Sequence, residues 1–126
     1  MSIQYLIKDE HSHIRLEVSG KWTRGNEAKE AIDIWSQVTE ACREHASSRV
    51  LAIFDVPGRM PTMAGWEVAS SPEFFGLERH WKIAVVYTHQ ERFESNLFSE
   101  TVAVNRGYYV KIFRDETSAE SWLHES

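Results

Sequence analysis

Two short, continuous apolar runs constrain the fold more than any other feature of this sequence. The first run, 50–54, stops at Asp55 and a Pro-Gly pair, and the second, 83–87, stops at Thr88. Five-residue runs rich in Val and Ile, with turn residues around them, are typical of strands that are buried on both faces. Such strands need helices packed over them, so the sequence predicts an α/β domain with these strands inside its sheet.

The first twenty residues predict an antiparallel hairpin. In the second of two predicted strands, 2–8 and 13–19, the apolar residues Ile14, Leu16 and Val18 alternate with polar ones. This period of two is expected of a strand with one covered face. The polar stretch 9–12 between the strands supplies the turn, and Gly20 ends the second strand.

The remaining segments predict helices that alternate with strands. Apolar residues recur every three or four positions over 25–45, which indicates a long amphipathic helix. A second helix is predicted from Thr62 to about Pro72, and a third follows a capping box at 88–91 and ends at Gly107. After a last strand at 108–113, a second capping box at 117–120 predicts a short closing helix.

These elements predict the order β-β-α-β-α-β-α-β-α within a single α/β domain, 1–126. Right-handed crossovers between the later strands place the helices against a mixed β-sheet opened by the antiparallel hairpin. The 126 residues are enough for one domain with its own core.

Charge and apolar length exclude several classes of partner and location. The formal net charge of −5 disfavours nucleic acid, because phosphate binding needs a cationic surface. No apolar run is long enough for a signal peptide or a transmembrane segment, so we expect a cytoplasmic protein. The single cysteine, Cys42, lies on the apolar side of the first helix and is expected to be a buried, inert thiol.

Several residues together carry a resemblance to a known family. They are the strand-end Asp55, the run 82–86, the Phe-Arg-Asp sequence at 113–115, Ala119, and the Trp-Leu pair at 122–123. With the element order, they resemble the SpoIIAA-like family, which is related in fold to STAS domains and to CRAL-TRIO lipid-transfer domains. The resemblance covers about 14–123 and implies the STAS-like fold.

The resemblance also bears on function. STAS domains that antagonise anti-sigma factors carry an Asp-Ser-Ser-Gly-like motif with a phosphorylated serine, whereas the matching stretch here reads Pro-Thr-Met-Ala-Gly at 61–65. Thr62 is its only hydroxyl, so the phosphorylation switch is disfavoured. The SpoIIAA-like family implies instead a regulatory module, an apolar ligand cleft or peripheral membrane contact.

Polar residues follow the strands at the sheet edge where ligands of open α/β sheets bind. The residues expected at that edge are Asp55, Pro57, Gly58, Arg59, Thr62, Thr88 and His89. A plainer interpretation is that Asp55 accepts amides of the Pro-Gly turn and that both threonines cap helices.

Met and aromatic side chains are concentrated in the segment after Asp55. They could form an adaptable surface between the second and third predicted helices, although aromatics at helical spacing also serve as core. The predicted ligand- or partner-binding residues are therefore Asp55, Thr62, Met63, Trp66, Phe74, Phe75, Phe93 and Leu97.

No arrangement of residue types predicts catalysis. His11 and His13 lack a third metal ligand and are interpreted as solvated turn histidines, so neither a metal nor a cofactor is predicted. The sequence contains no triad spacing, no Walker loop and no Gly-x-Gly-x-x-Gly.

The sequence therefore favours a non-enzymatic regulatory or interaction module that binds a protein partner or ligand through about 57–75. The alternative is a carrier of a lipid or other apolar ligand in a cleft between the second and third predicted helices, with peripheral membrane association. The oligomeric state is left open, and a homodimer is compatible with the sequence.

Overall fold

A computed structural model describes residues 2–57, 67–68, 76–95 and 97–125. Within them the strands are β1 (Gln4–Asp9), β2 (Ile14–Ser19), β3 (Arg49–Asp55), β4 (Lys82–Tyr87) and β5 (Tyr109–Phe113). The helices are α1 (Glu27–Glu44), α2 (Gln90–Ser95), α3 (Leu97–Asn105) and α4 (Glu116–Leu123).

The described strands form one five-stranded sheet in the order β1-β2-β3-β4-β5. β1 pairs antiparallel with β2, so that Gln4 lies opposite Ser19 and Asp9 opposite Ile14. The pairs β2–β3, β3–β4 and β4–β5 are parallel. The predicted mixed sheet with an opening hairpin is confirmed.

The hairpin turn differs from the prediction at one histidine. His11 is exposed with φ of 69°, and its amide donates to the Asp9 carboxylate at 2.9 Å. His13 is buried, with 6% of its surface exposed. The prediction of a solvated turn histidine is therefore wrong for His13, because contacts from the distant end of the chain cover the ring.

The main core lies between one face of the sheet and α1. Alternation sends Ile14, Leu16 and Val18 of β2 to this face, where they meet Val38 and Cys42 of the helix. Burial raises the pKa of the Cys42 thiol to about 12, so the prediction of a buried, unreactive thiol agrees with its surroundings.

A second, smaller core lies on the opposite face under α4. Its buried members are Leu51, Ala84 and Val86 from the sheet and Ala119 and Leu123 from the helix. Both faces of β3 and β4 are thus covered, which is the physical reason for their continuous apolar runs.

The predicted second helix lies almost entirely outside the described residues. Glu67 and Val68 are helical, and Val68 packs against the main core. The predicted third helix is described as α2 and α3 on either side of residue 96. It ends as predicted at Gly107, whose φ is 89°.

The N-cap of the closing helix lies two residues before the predicted cap. The carboxylate of Asp115 accepts the amide of Ser118 at 2.7 Å and its hydroxyl at 3.1 Å, so Asp115 is the N-cap and Thr117 lies inside the helix. Asp115 has the extended backbone that a cap requires, with φ −137° and ψ 155°.

Candidate functional site

A compact polar cluster lies at the carboxyl ends of β3 and β4. The Nε2 atom of His89 is 2.7 Å from Oδ1 of Asp55, and the hydroxyl of Thr88 is 3.1 Å from the same oxygen. Parallel pairing places these residues together, because β3 ends at Asp55 and Thr88 and His89 follow directly after β4. We call these three residues the strand-end cluster.

The contacts of the strand-end cluster favour one tautomer of His89. An ionised carboxylate only accepts hydrogen bonds, so Nε2 of His89 carries the proton in this contact. Thr88 donates its hydroxyl to Asp55 and anchors the turn through its amide, which donates to the Phe54 carbonyl oxygen at 3.2 Å. Two neighbouring donors therefore hold the Asp55 carboxylate in one orientation.

The strand-end cluster is accessible to solvent. The side chains of Asp55 and His89 are 65% and 35% exposed. Activation of a hydroxyl by histidine needs a hydrogen bond from that hydroxyl to the ring. Here the Thr88 hydroxyl lies 3.1 Å from Oδ1 of Asp55 and 3.4 Å from the Phe54 carbonyl oxygen, so its hydrogen-bonding partners are acceptors at the end of β3.

An aromatic cluster supports this edge from the main-core side. The ring of Phe54 is 5.5 Å from Tyr87, 6.2 Å from Trp35 and 6.4 Å from Trp22, measured between centroids. Trp22 is not among the predicted site residues, because a lone aromatic in a loop has no periodicity. Its position just after Gly20, where β2 ends at the same edge, was the available signal.

The indole nitrogen of Trp22 has an unusual environment. Nε1 is buried, and no described residue accepts a hydrogen bond from it. A buried donor without an acceptor typically costs about 1–3 kcal/mol. This nitrogen is therefore available to an acceptor brought by a bound molecule or by water.

The two predicted site residues of the third helix have different surroundings. Phe93 is partly buried against the main core, and the guanidinium of Arg114 lies 4.5 Å from the centre of its ring. Leu97, at the start of α3, is 43% exposed, whereas Ala103 in the same helix is buried.

The other predicted site residues cannot be placed beside the strand-end cluster. Thr62, Met63, Trp66, Phe74 and Phe75 lie outside the described residues. Of the predicted polar edge, the structure brings together Asp55, Thr88 and His89.

The sheet order, the opening hairpin and the helices on both faces define an α/β domain of the SpoIIAA/STAS-like fold. Among solved structures, the chain is similar to the crystal structure of an anti-sigma factor antagonist from Mycobacterium paratuberculosis. The TM-score is 0.57, with 98% of this chain and 96% of that chain covered at 12% sequence identity. This similarity confirms the predicted fold.

The other comparisons are negative. No family model matches the sequence, and the search of curated proteins found no significant match. Separately, none of the helices in the described ranges is long and apolar enough to cross a bilayer.

Proposed function

We propose that this protein is a non-enzymatic regulatory module that binds a protein partner. The binding surface is formed by residues 57–75 together with the strand-end cluster. The observation that carries this proposal is the exposed Asp55 carboxylate, held by His89 and Thr88 where the chain enters that segment. A carboxylate that is already oriented loses little freedom when a partner donates to it.

The fold similarity supports the same proposal. The similar structure is that of an anti-sigma factor antagonist, a protein named for its action in regulation. We extend a regulatory role to this chain and place it in the cytoplasm. The partner contacts would come from Asp55, from the predicted residues Thr62, Met63, Trp66, Phe74 and Phe75, and from Phe93 and Leu97.

Partner capture with matched charge reversals tests this proposal. Tagged wild-type protein, Asp55→Lys and Glu40→Lys are each expressed in the source cells, cross-linked and purified, and the captured proteins are quantified. Glu40 is exposed near the end of α1 and provides the same charge change away from the strand ends. Loss of an oriented charge contact corresponds to about a tenfold or larger loss of binding.

The expected result is one protein captured by the wild type and by Glu40→Lys and lost with Asp55→Lys. The purified pair should then bind with the same order of affinities. Equal capture by all three proteins, or no specific protein in any sample, contradicts the proposal. Circular dichroism spectra confirm beforehand that the variants are folded.

The second candidate function is carriage of an apolar ligand with a polar acceptor group, with reversible membrane contact. The buried indole donor of Trp22 beside Phe54 favours it, because such a donor would pair with a ligand oxygen. Native mass spectrometry of freshly purified protein should show a bound amphiphile that Trp22→Phe weakens. A ligand-free mass together with no binding to anionic liposomes contradicts this candidate.

A further inference from the structure

Three polar contacts hold α4 against the sheet. At the start of the helix, Arg15 donates to both carboxylate oxygens of Glu116, at 2.7 and 3.1 Å. At its end, His124 contacts His13, the residue before β2, and the ammonium of Lys82 in β4 donates to the carbonyl of Trp122. Each contact joins residues far apart in the sequence.

The histidine contact has a geometry that depends on protonation. The Nε2 atom of His124 is 3.3 Å from Nδ1 of His13, and the hydroxyl of Ser12 is 3.1 Å from the same Nδ1 atom. Nε2 of His13 is buried without a hydrogen-bond partner among the described residues. The ring centres are 5.3 Å apart, which places the two imidazoles in direct contact.

Two facing ring nitrogens can share one proton in a hydrogen bond. A proton on each nitrogen would break that hydrogen bond. When His13 is neutral, its Nδ1 atom can accept from His124 or donate to it. When both rings are fully protonated, two N–H groups face each other at 3.3 Å and two positive charges repel. Within the described ranges no group of three His, Cys, Asp or Glu is placed to hold a metal ion.

The surroundings of His13 favour its neutral form. Burial lowers its pKa below the ordinary value of 6.5, and the nearby His124 lowers it further. The carboxylates of Glu120 and Glu10 act in the opposite direction, and Arg15 adds to the lowering. Glu116, whose carboxylate also faces His13, is engaged by Arg15.

We propose that the His13–His124 contact is proton-sensitive. Its loss releases the carboxyl end of α4 from the sheet as the pH falls below neutral. This inference concerns the sheet face opposite α1 and does not depend on the proposed function. Release would uncover Leu123 and the second core and so create an apolar surface that is absent at neutral pH. The fold would thereby couple acidity to the availability of a binding surface.

The expected pH window follows from the direction of the shift. The folded state holds His13 neutral, so the unfolded or released state binds more protons below about pH 6.5. The stabilisation is complete above that pH and is lost as the pH falls toward the folded-state pKa. Arg15 lowers the pKa of Glu116 below its ordinary 4.5, so the contact at the start of α4 persists through this window.

Hydrogen exchange of single amides measures the release directly. Protection of Leu123 in α4 and of Leu51 in β3 is compared between pH 7.5 and pH 5.5, after correction for intrinsic exchange. In the wild type we expect Leu123 to lose several-fold to tenfold protection relative to Leu51, since one proton changes an equilibrium at most tenfold per pH unit. Ring signals of His13 should change over the same range.

Three variants distinguish the effect of the His13–His124 contact from a general loss of stability in acid. His13→Leu removes the buried titrating ring and should abolish the relative loss. His124→Gln alters only the exposed partner, so it keeps the test valid where His13→Leu does not fold, and it should reduce the loss. His11→Gln changes a nearby, fully solvated histidine and should behave as the wild type. An equal fall at Leu123 and Leu51, or an unchanged profile in His124→Gln, overturns the proposal.

Discussion

At the scale of residues, the polar side chains at the two ends of the strands differ in their exposure to solvent. At the carboxyl ends, Asp55 is exposed and contacts two donors. At the amino ends, His13 is buried with one unsatisfied nitrogen, which makes it sensitive to protonation.

Gly20 gives a stability prediction at this scale. Its φ is 97°, and a Cβ atom there would overlap the carbonyl oxygen of Ser2, which belongs to the bridge with Lys21. We expect Gly20→Ala to lower the free energy of unfolding by about 2–4 kcal/mol. Gly25 has a similar φ of 88° but open space around it, so Gly25→Ala should cost about 1 kcal/mol.

Urea denaturation of both glycine variants provides the measurement. The difference between them isolates the steric overlap from the cost of the left-handed backbone. Equal losses of stability in Gly20→Ala and Gly25→Ala would show that Ser2 is displaced at no cost.

At the scale of elements, the two outer strands of the sheet, β1 and β5, have different surroundings. The carboxylate of Glu100 in α3 accepts the amide of Ile112 at 2.8 Å, so this helix satisfies an outer donor of β5. β1 instead exposes Tyr5 and Leu6 on opposite faces. Lys8 of β1 lies 3.8 Å from Glu17 of β2, so this outer strand also carries a charged pair with its neighbour.

Substitutions at the start of α4 distinguish the cap seen in the structure, Asp115, from the cap predicted from the sequence, Thr117. Asp115→Ala removes the acceptor of two hydrogen bonds and should shift the urea midpoint clearly downward. Thr117→Ala removes the hydroxyl that the sequence indicated as a cap and should leave the midpoint nearly unchanged. Asp115→Asn, which retains a side-chain acceptor, should recover most of the loss. The reverse order of Asp115→Ala and Thr117→Ala would place the cap at Thr117.

At the scale of the whole molecule, the sheet separates two cores. The main core faces α1, and the second core depends on one short helix, α4. That residues 1–126 fold as one domain stays a prediction. A single domain requires that a substitution in the smaller core destabilise the whole molecule.

Leu123 tests this coupling. Its side chain is fully buried, so Leu123→Ala should lower the free energy of unfolding by about 2–5 kcal/mol. Leu97→Ala, at an exposed position, should cost less than about 1 kcal/mol. Tryptophan fluorescence and far-ultraviolet circular dichroism should report one common transition in each variant. Separate transitions in Leu123→Ala would show that the two cores unfold independently.

The sequence by itself determined the local elements and their order. Period two in β2, the continuous runs of β3 and β4 and the helical spacing of α1 each reflect one-sided or two-sided burial, which a pattern within a few residues records. Gly107 was equally readable, because a left-handed helix end selects glycine. Asp55, Thr88 and His89 could be assigned to one edge because parallel strands end on the same side.

Only the tertiary structure decided how distant residues meet. Nothing near His13 indicates that His124, 111 positions later, covers it, and nothing near Trp22 indicates the burial of its indole nitrogen. Asp115 and Thr117 are both good caps, and the choice between them rests on backbone angles that the packing of α4 imposes. These outcomes depend on contacts across the sheet, and long-range contacts leave no periodic trace in the sequence.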